Sequence, residues 1–125
     1  PAFYLRTSDR GVDARFDDVR KLASFIDFEL ARTGRGIVIA NPIPAADELD
    51  AASWRGWLAE AERSVGTPSD GRDATPRLLA ALHTCSGGAT LRANLALVRS
   101  NARLAAQLAA GVADASRGGV IGTQM

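Results

Sequence analysis

Two asparagines carry the strongest chemical signal in this 125-residue chain. Plotted at about 100° per residue, residues 91–109 gather Leu91, Leu95, Leu97, Val98, Ala102, Leu104, Ala105, Leu108 and Ala109 on one broad arc. Asn94 and Asn101 fall at its centre. A buried amide without partners costs about 1–3 kcal/mol, so each must bond either to the protein itself or to a ligand. The first is the chemistry of tying a helix to a loop, the second that of holding a substrate.

Other reactive side chains are scattered. Lys21 is the only lysine and lies on the polar side of the first helical pattern. His83 and Cys85 have no metal-ligand spacing around them and read as packing or surface residues. Asp47, Glu48 and Asp50 could suggest the carboxylate pairs of glycoside chemistry. They stand just before a helical pattern, however, where negative charge favours the helix N-terminus. Arg92, Arg99 and Arg103 form a stripe away from the apolar arc, which reads as a solvated face rather than a phosphate or RNA track.

The elements that must position these residues alternate between extended and helical patterns. Residues 2–6 and the alternating Val12, Ala14 and Phe16 predict a hairpin around Ser8-Asp9-Arg10-Gly11. Asp17 or Asp18 caps a helix that buries Val19, Leu22, Ala23, Ile26 and Leu30 and ends at Gly34. The apolar run Gly36-Ile37-Val38-Ile39-Ala40 predicts a strand buried on both faces of a mostly parallel sheet. Asn41-Pro42 would then sit at the strand edge where α/β sheets bind ligands. A helix follows from about Ala51 to Ser64, then a polar loop through Pro68 and Asp70. Thr75-Pro76 predicts a capped helix start, with Pro76 at the first helical position. Gly87-Gly88 ends that helix and Thr90 caps the long asparagine-bearing one. The expected class is therefore α/β, a mostly parallel sheet flanked by helices.

Composition sets outer bounds. A 46% hydrophobic content suffices for one globular unit, and a net charge of +1 argues against an obligatory nucleic-acid or anionic-membrane partner. Nothing reads as a membrane span or export signal. A single cysteine permits no internal disulfide and suits a cytoplasmic setting. Starting at Pro1 directly in Phe3-Tyr4-Leu5, the chain reads as a piece of a longer polypeptide, and its Gly-rich end reads as a flexible tail.

Four blocks resemble one known family. Gly36-Ile37-Val38-Ile39-Ala40-Asn41-Pro42-Ile43-Pro44 is similar to the strand-and-loop signature of the pseudouridine-5′-phosphate glycosidases, which include the indigoidine-synthase-A-like proteins. Asp73-Ala74-Thr75-Pro76-Arg77-Leu78-Leu79 resembles their acidic-x-Thr-Pro-x-Leu-Leu. Gly87-Gly88-Ala89-Thr90-Leu91-Arg92-Ala93-Asn94-Leu95-Ala96-Leu97-Val98 resembles their Gly-Gly-x-Ser-Leu-x-x-Asn-Ile-x-Leu-Val, and residues 1–8 resemble the segment that precedes these. Arg77 stands where the family usually has an apolar residue, and Ser100-Asn101 where it often has Asn-Asn.

The resemblance implies that residues 1–112 are the C-terminal portion of a larger domain, with residues 113–125 as the tail. It implies reversible cleavage of the C–C glycosidic bond of pseudouridine 5′-phosphate to uracil and ribose 5-phosphate. Its lysine nucleophile and its divalent metal, usually manganese, belong to an upstream part, so no catalytic or metal residue is expected here and Lys21 is no nucleophile. Asn94 matches a substrate-facing asparagine of the family, while Asn41 and Pro42 would shape the pocket rim. The implied partners are the upstream part of the enzyme, a nucleotide substrate and, by resemblance, two further copies in a trimer. Two readings from other classes stay open: a non-catalytic module docking through an exposed apolar face, and an RNA binder using the arginine stripe.

Overall fold

The computed structural model describes residues 2–66 and 71–118. Four helices make up the described structure: α1 (Val19–Thr33), α2 (Ala51–Val65), α3 (Gly71–Cys85) and α4 (Ala89–Gly118), with a short 3-10 turn at Ala45–Asp47. Residues 67–70, part of the polar loop, and 119–125, most of the expected tail, lie outside the described residues. Helix α4 runs past residue 112, where the tail was expected to begin, and ends at Gly118.

Local chemistry explains the helix ends. The Asp18 carboxylate accepts the N–H groups of Arg20 at 2.8 Å and Lys21 at 3.3 Å, satisfying donors that α1 cannot pair internally. Gly34 closes α1 at φ 63°, its N–H returning to the Leu30 carbonyl. Asp50 caps α2 by accepting the Ser53 N–H at 2.7 Å. Two expected starts are corrected. Helix α3 begins at Gly71, so Pro76 lies inside it rather than at its first position. Thr90 is fully buried within the first turn of α4, and it is Ser86 whose hydroxyl accepts the Thr90 N–H at 3.2 Å.

The mostly parallel sheet is not formed, and the α/β class is corrected: among the described residues there is no strand, only an isolated bridge between Ala2 and Leu5. The expected hairpin is replaced by a tight turn in which Ala2 and Leu5 exchange both backbone hydrogen bonds at 2.9 Å, with Phe3 at φ 50°. Residues 35–41 belong to no helix or strand. An apolar β-branched run favours extended backbone, yet a strand exists only by bonding to a neighbour, and no described segment supplies one. Instead Ile37 packs inward while Val38 is 95% exposed.

The chain divides into two compact units, each described by itself. The first comprises Pro1–Asp9 and Pro42–Val98, the second Arg10–Asn41 and Arg99–Met125. The core of the first unit is Tyr4, Ile43, Ala93 and Leu97, with Leu49 and Trp54 packed on it. The Trp54 and Tyr4 rings meet edge to face, their centroids 5.1 Å apart. Burying side chains as large as Ile43 and Tyr4 contributes on the order of 2 kcal/mol each. Helices α2 and α3 pack on each other within this unit. The second unit is centred on Ala23, Ile26 and Leu108, with Val19, Leu22, Ile37, Leu104 and Val112 around them. There α1 and α4 approach closely: a Cβ on Gly111 would lie 2.7 Å from that of Ala23.

Candidate functional site

The first unit positions Asn94 through the start of α4. Gly87 and Gly88 adopt φ 55° and 80°, backbone that side chains disfavour, and reverse the chain between α3 and α4. The Ser86 and Thr90 hydroxyls, both buried, lie 3.0 Å apart and lock this turn to the helix. Ala93 and Leu97 then pack on Tyr4 and Ile43. One step round the helix, Asn94 is half-buried. Among the described residues its amide has no hydrogen-bond partner.

The apolar arc of the sequence is therefore split. Its one half is core, while Leu91, Leu95 and Val98 remain 44–55% exposed, and Asn94 lies on the border between the halves. Pro42, half-buried, leads the chain into fully buried Ile43. The Ile43 carbonyl accepts the Arg6 guanidinium at 2.6 Å, and the Arg6 N–H donates to Glu48 at 2.8 Å. A cleft of about 250 Å3 beside Ala93 is lined by Asp47, Glu48, Leu49, Ala89 and Arg92. The three acidic residues before α2 thus divide their work: Asp50 caps the helix, Glu48 holds Arg6, and Asp47 stays at the cleft.

The second unit holds the other amides. The Asn41 Nδ2 donates to Ser100 Oγ at 3.0 Å and to Asn101 Oδ1 at 2.9 Å. Both of its hydrogens are engaged, which leaves the Asn41 oxygen as its remaining contact for any ligand. Asn101 is exposed and bonds to a side chain, not buried as its place at the centre of the arc suggested. Asn94 and Pro42 thus stand in the first unit and Asn41 in the second.

Two polar atoms escaped the sequence reading. The Tyr4 hydroxyl and His83 Nε2 are buried without a partner, and burial pushes the Tyr4 phenol above its ordinary pKa. No sequence signal marks them, because a lone Tyr in an apolar triplet and a lone His look like packing. Lys21 is exposed on α1, and Arg77 donates to the Val65 carbonyl at 3.4 Å. Among the described residues no three His, Cys, Asp or Glu side chains gather as a metal site, and no helix is long and apolar enough to cross a membrane.

Residues 1–111 match the family model described as indigoidine synthase A like protein. A pseudouridine-5′-phosphate glycosidase of Geobacillus kaustophilus is 44% identical over 115 residues, covering 87% of this chain and 37% of the relative. One of Dinoroseobacter shibae is 40% identical over 111 residues, covering 87% and 36%. One of Methylobacterium nodulans is 38% identical over 123 residues, covering 95% and 36%. The chain spans little more than a third of the length of these curated relatives.

Proposed function

This chain belongs to the indigoidine synthase A-like family, and we propose that it is the C-terminal, substrate-orienting part of a pseudouridine-5′-phosphate glycosidase-like enzyme. The reaction would be reversible C–C cleavage of pseudouridine 5′-phosphate to uracil and ribose 5-phosphate. The observation that carries the reading is Asn94: a half-buried amide without a partner among the described residues, inside the segment Gly87–Val98 that resembles the family's Gly-Gly-x-Ser-Leu-x-x-Asn pattern.

Asn94 would hold the pyrimidine or the ribose, offering a donor and an acceptor from an otherwise apolar wall. Asn41 would contribute an acceptor only, since Ser100 and Asn101 take both of its hydrogens. Pro42 would fix the rim. The lysine that attacks the sugar and the aspartate that holds a divalent metal, manganese by resemblance, would come from the portion that this chain lacks. No step of the chemistry is assigned to the residues of this chain in this reading. Assembly as a cytoplasmic trimer is part of the same proposal.

The test is a chimera in which residues 1–111 replace the matching segment of the Geobacillus kaustophilus relative. With pseudouridine 5′-phosphate and manganese, the chimera should release uracil, while the 125-residue chain alone should release none. A folded chimera without turnover, or turnover by the chain alone, would overturn the reading.

A further inference from the structure

The turn at residues 2–6 is tied to the segment that follows Pro42. It places Phe3 at φ 50°, backbone that a bulky side chain adopts only where its surroundings impose it. Three tethers do so: the Leu49 N–H donates to the Tyr4 carbonyl at 3.2 Å, the Arg6 N–H to Glu48 at 2.8 Å, and the Arg6 guanidinium to the Ile43 carbonyl at 2.6 Å. The last of these has a cause in the sequence. In Pro42-Ile43-Pro44 two of three residues lack an N–H, so this stretch can offer itself little backbone hydrogen bonding. The carbonyl of fully buried Ile43 takes its donor from another segment instead, and a charged donor forms one of the stronger bonds open to it.

We infer that Arg6 is a positioning residue: its guanidinium fixes the Pro42–Pro44 rim on the start of α4, where Asn94 stands. The inference rests on the functional reading above and adds to it a residue that touches no substrate. Ile43 is the link. Arg6 holds its carbonyl, while its side chain shares one cluster with Ala93, which precedes Asn94, and Leu97, one turn further along α4. Arg6 is itself exposed, so losing its guanidinium frees the rim but leaves the apolar cluster in place. Rim contacts serve bound substrate and transition state alike, so the loss falls on KM and spares kcat.

Arg6→Met and Arg6→Lys in the chimera test this, with kcat, KM for pseudouridine 5′-phosphate and the melting temperature recorded for each. Arg6→Met keeps a long apolar stem without a donor and should raise KM at least fivefold, with kcat within twofold and the melting temperature nearly in place. Arg6→Lys restores a charged donor and should bring KM back most of the way. Unchanged KM in Arg6→Met would overturn the inference, as would an Arg6→Met chimera that fails to fold, which would assign Arg6 to the fold alone. A raised KM that lysine does not lower would overturn it too, because the donor would then not be what acts. A chimera that releases no uracil with Arg6 intact overturns the glycosidase reading and this inference with it. Turnover in that chimera with KM indifferent to Arg6 overturns this inference only.

Discussion

The two units treat the same side chain in opposite ways. In the second, the amides of Asn41 and Asn101 bond to each other with Ser100 beside them. In the first, Asn94 has no partner among the described residues, and the Tyr4 hydroxyl and His83 Nε2 are buried unpaired. Packing differs as well. The first unit uses bulk, an aromatic pair on Ile43, whereas the second uses small residues, Gly111 on Ala23. Unsatisfied buried polar groups cost stability, and among the described residues the two such atoms, on Tyr4 and His83, both belong to the first unit.

The largest expected effects test whether the units are separate. Ile43→Ala and Leu108→Ala each remove a buried side chain and should cost about 2–5 kcal/mol. By hydrogen exchange, the first should speed exchange in α2 more than in α1, and the second should do the reverse. If either variant loosens both helices equally, the units fold as one.

Glycine substitutions sharpen the difference in packing. Gly111→Ala forces a methyl group into the α1 contact and should destabilise by about 1–3 kcal/mol in denaturant unfolding. Gly56→Ala, on α2 with nothing within 4 Å of its Cβ, should stabilise by about 0.5–1 kcal/mol. Equal effects of one sign would contradict the close approach of α1 and α4.

Acid should affect the units alike, and weakly. Backbone N–H groups hold the Asp18 carboxylate in the second unit and the Asp50 carboxylate in the first below their ordinary pKa, Arg20 and Ser53 supplying the largest effects. With the folded pKa depressed, the stabilisation is present above the unfolded value of about 3.9 and is lost as pH falls through the folded one. Thermal melts followed by helical circular dichroism at about pH 6 and pH 3 should therefore differ less in an Asp18→Asn, Asp50→Asn double variant, which keeps the capping oxygens without the titration. An unchanged difference would place the acid sensitivity elsewhere.

What was legible in the sequence follows the range of the interactions. Helices α1 and α2 were readable because Asp18, Gly34 and Asp50 act within four residues of themselves. The 36–40 strand was not, because pairing depends on a neighbour that no spacing within the run reveals. The arc on α4 was half legible: periodicity showed which residues share a face, but not that Leu97 and Leu108 would be covered while Leu91, Leu95 and Val98 would not. For the same reason Asn101, placed on the arc with Asn94, proved exposed and bonded to Asn41.

The contrast between Asn94 and Asn101 can be measured directly by making each alanine variant in the chimera and recording kcat/KM beside the melting temperature. Asn94→Ala should lower kcat/KM at least tenfold, about 1.4 kcal/mol or more, and leave the melting temperature in place. Asn101→Ala should lower the melting temperature slightly, through loss of about 1 kcal/mol, with turnover preserved. An Asn94→Ala chimera that melts early yet turns over normally per folded molecule would show that Asn94 serves the fold and not the substrate.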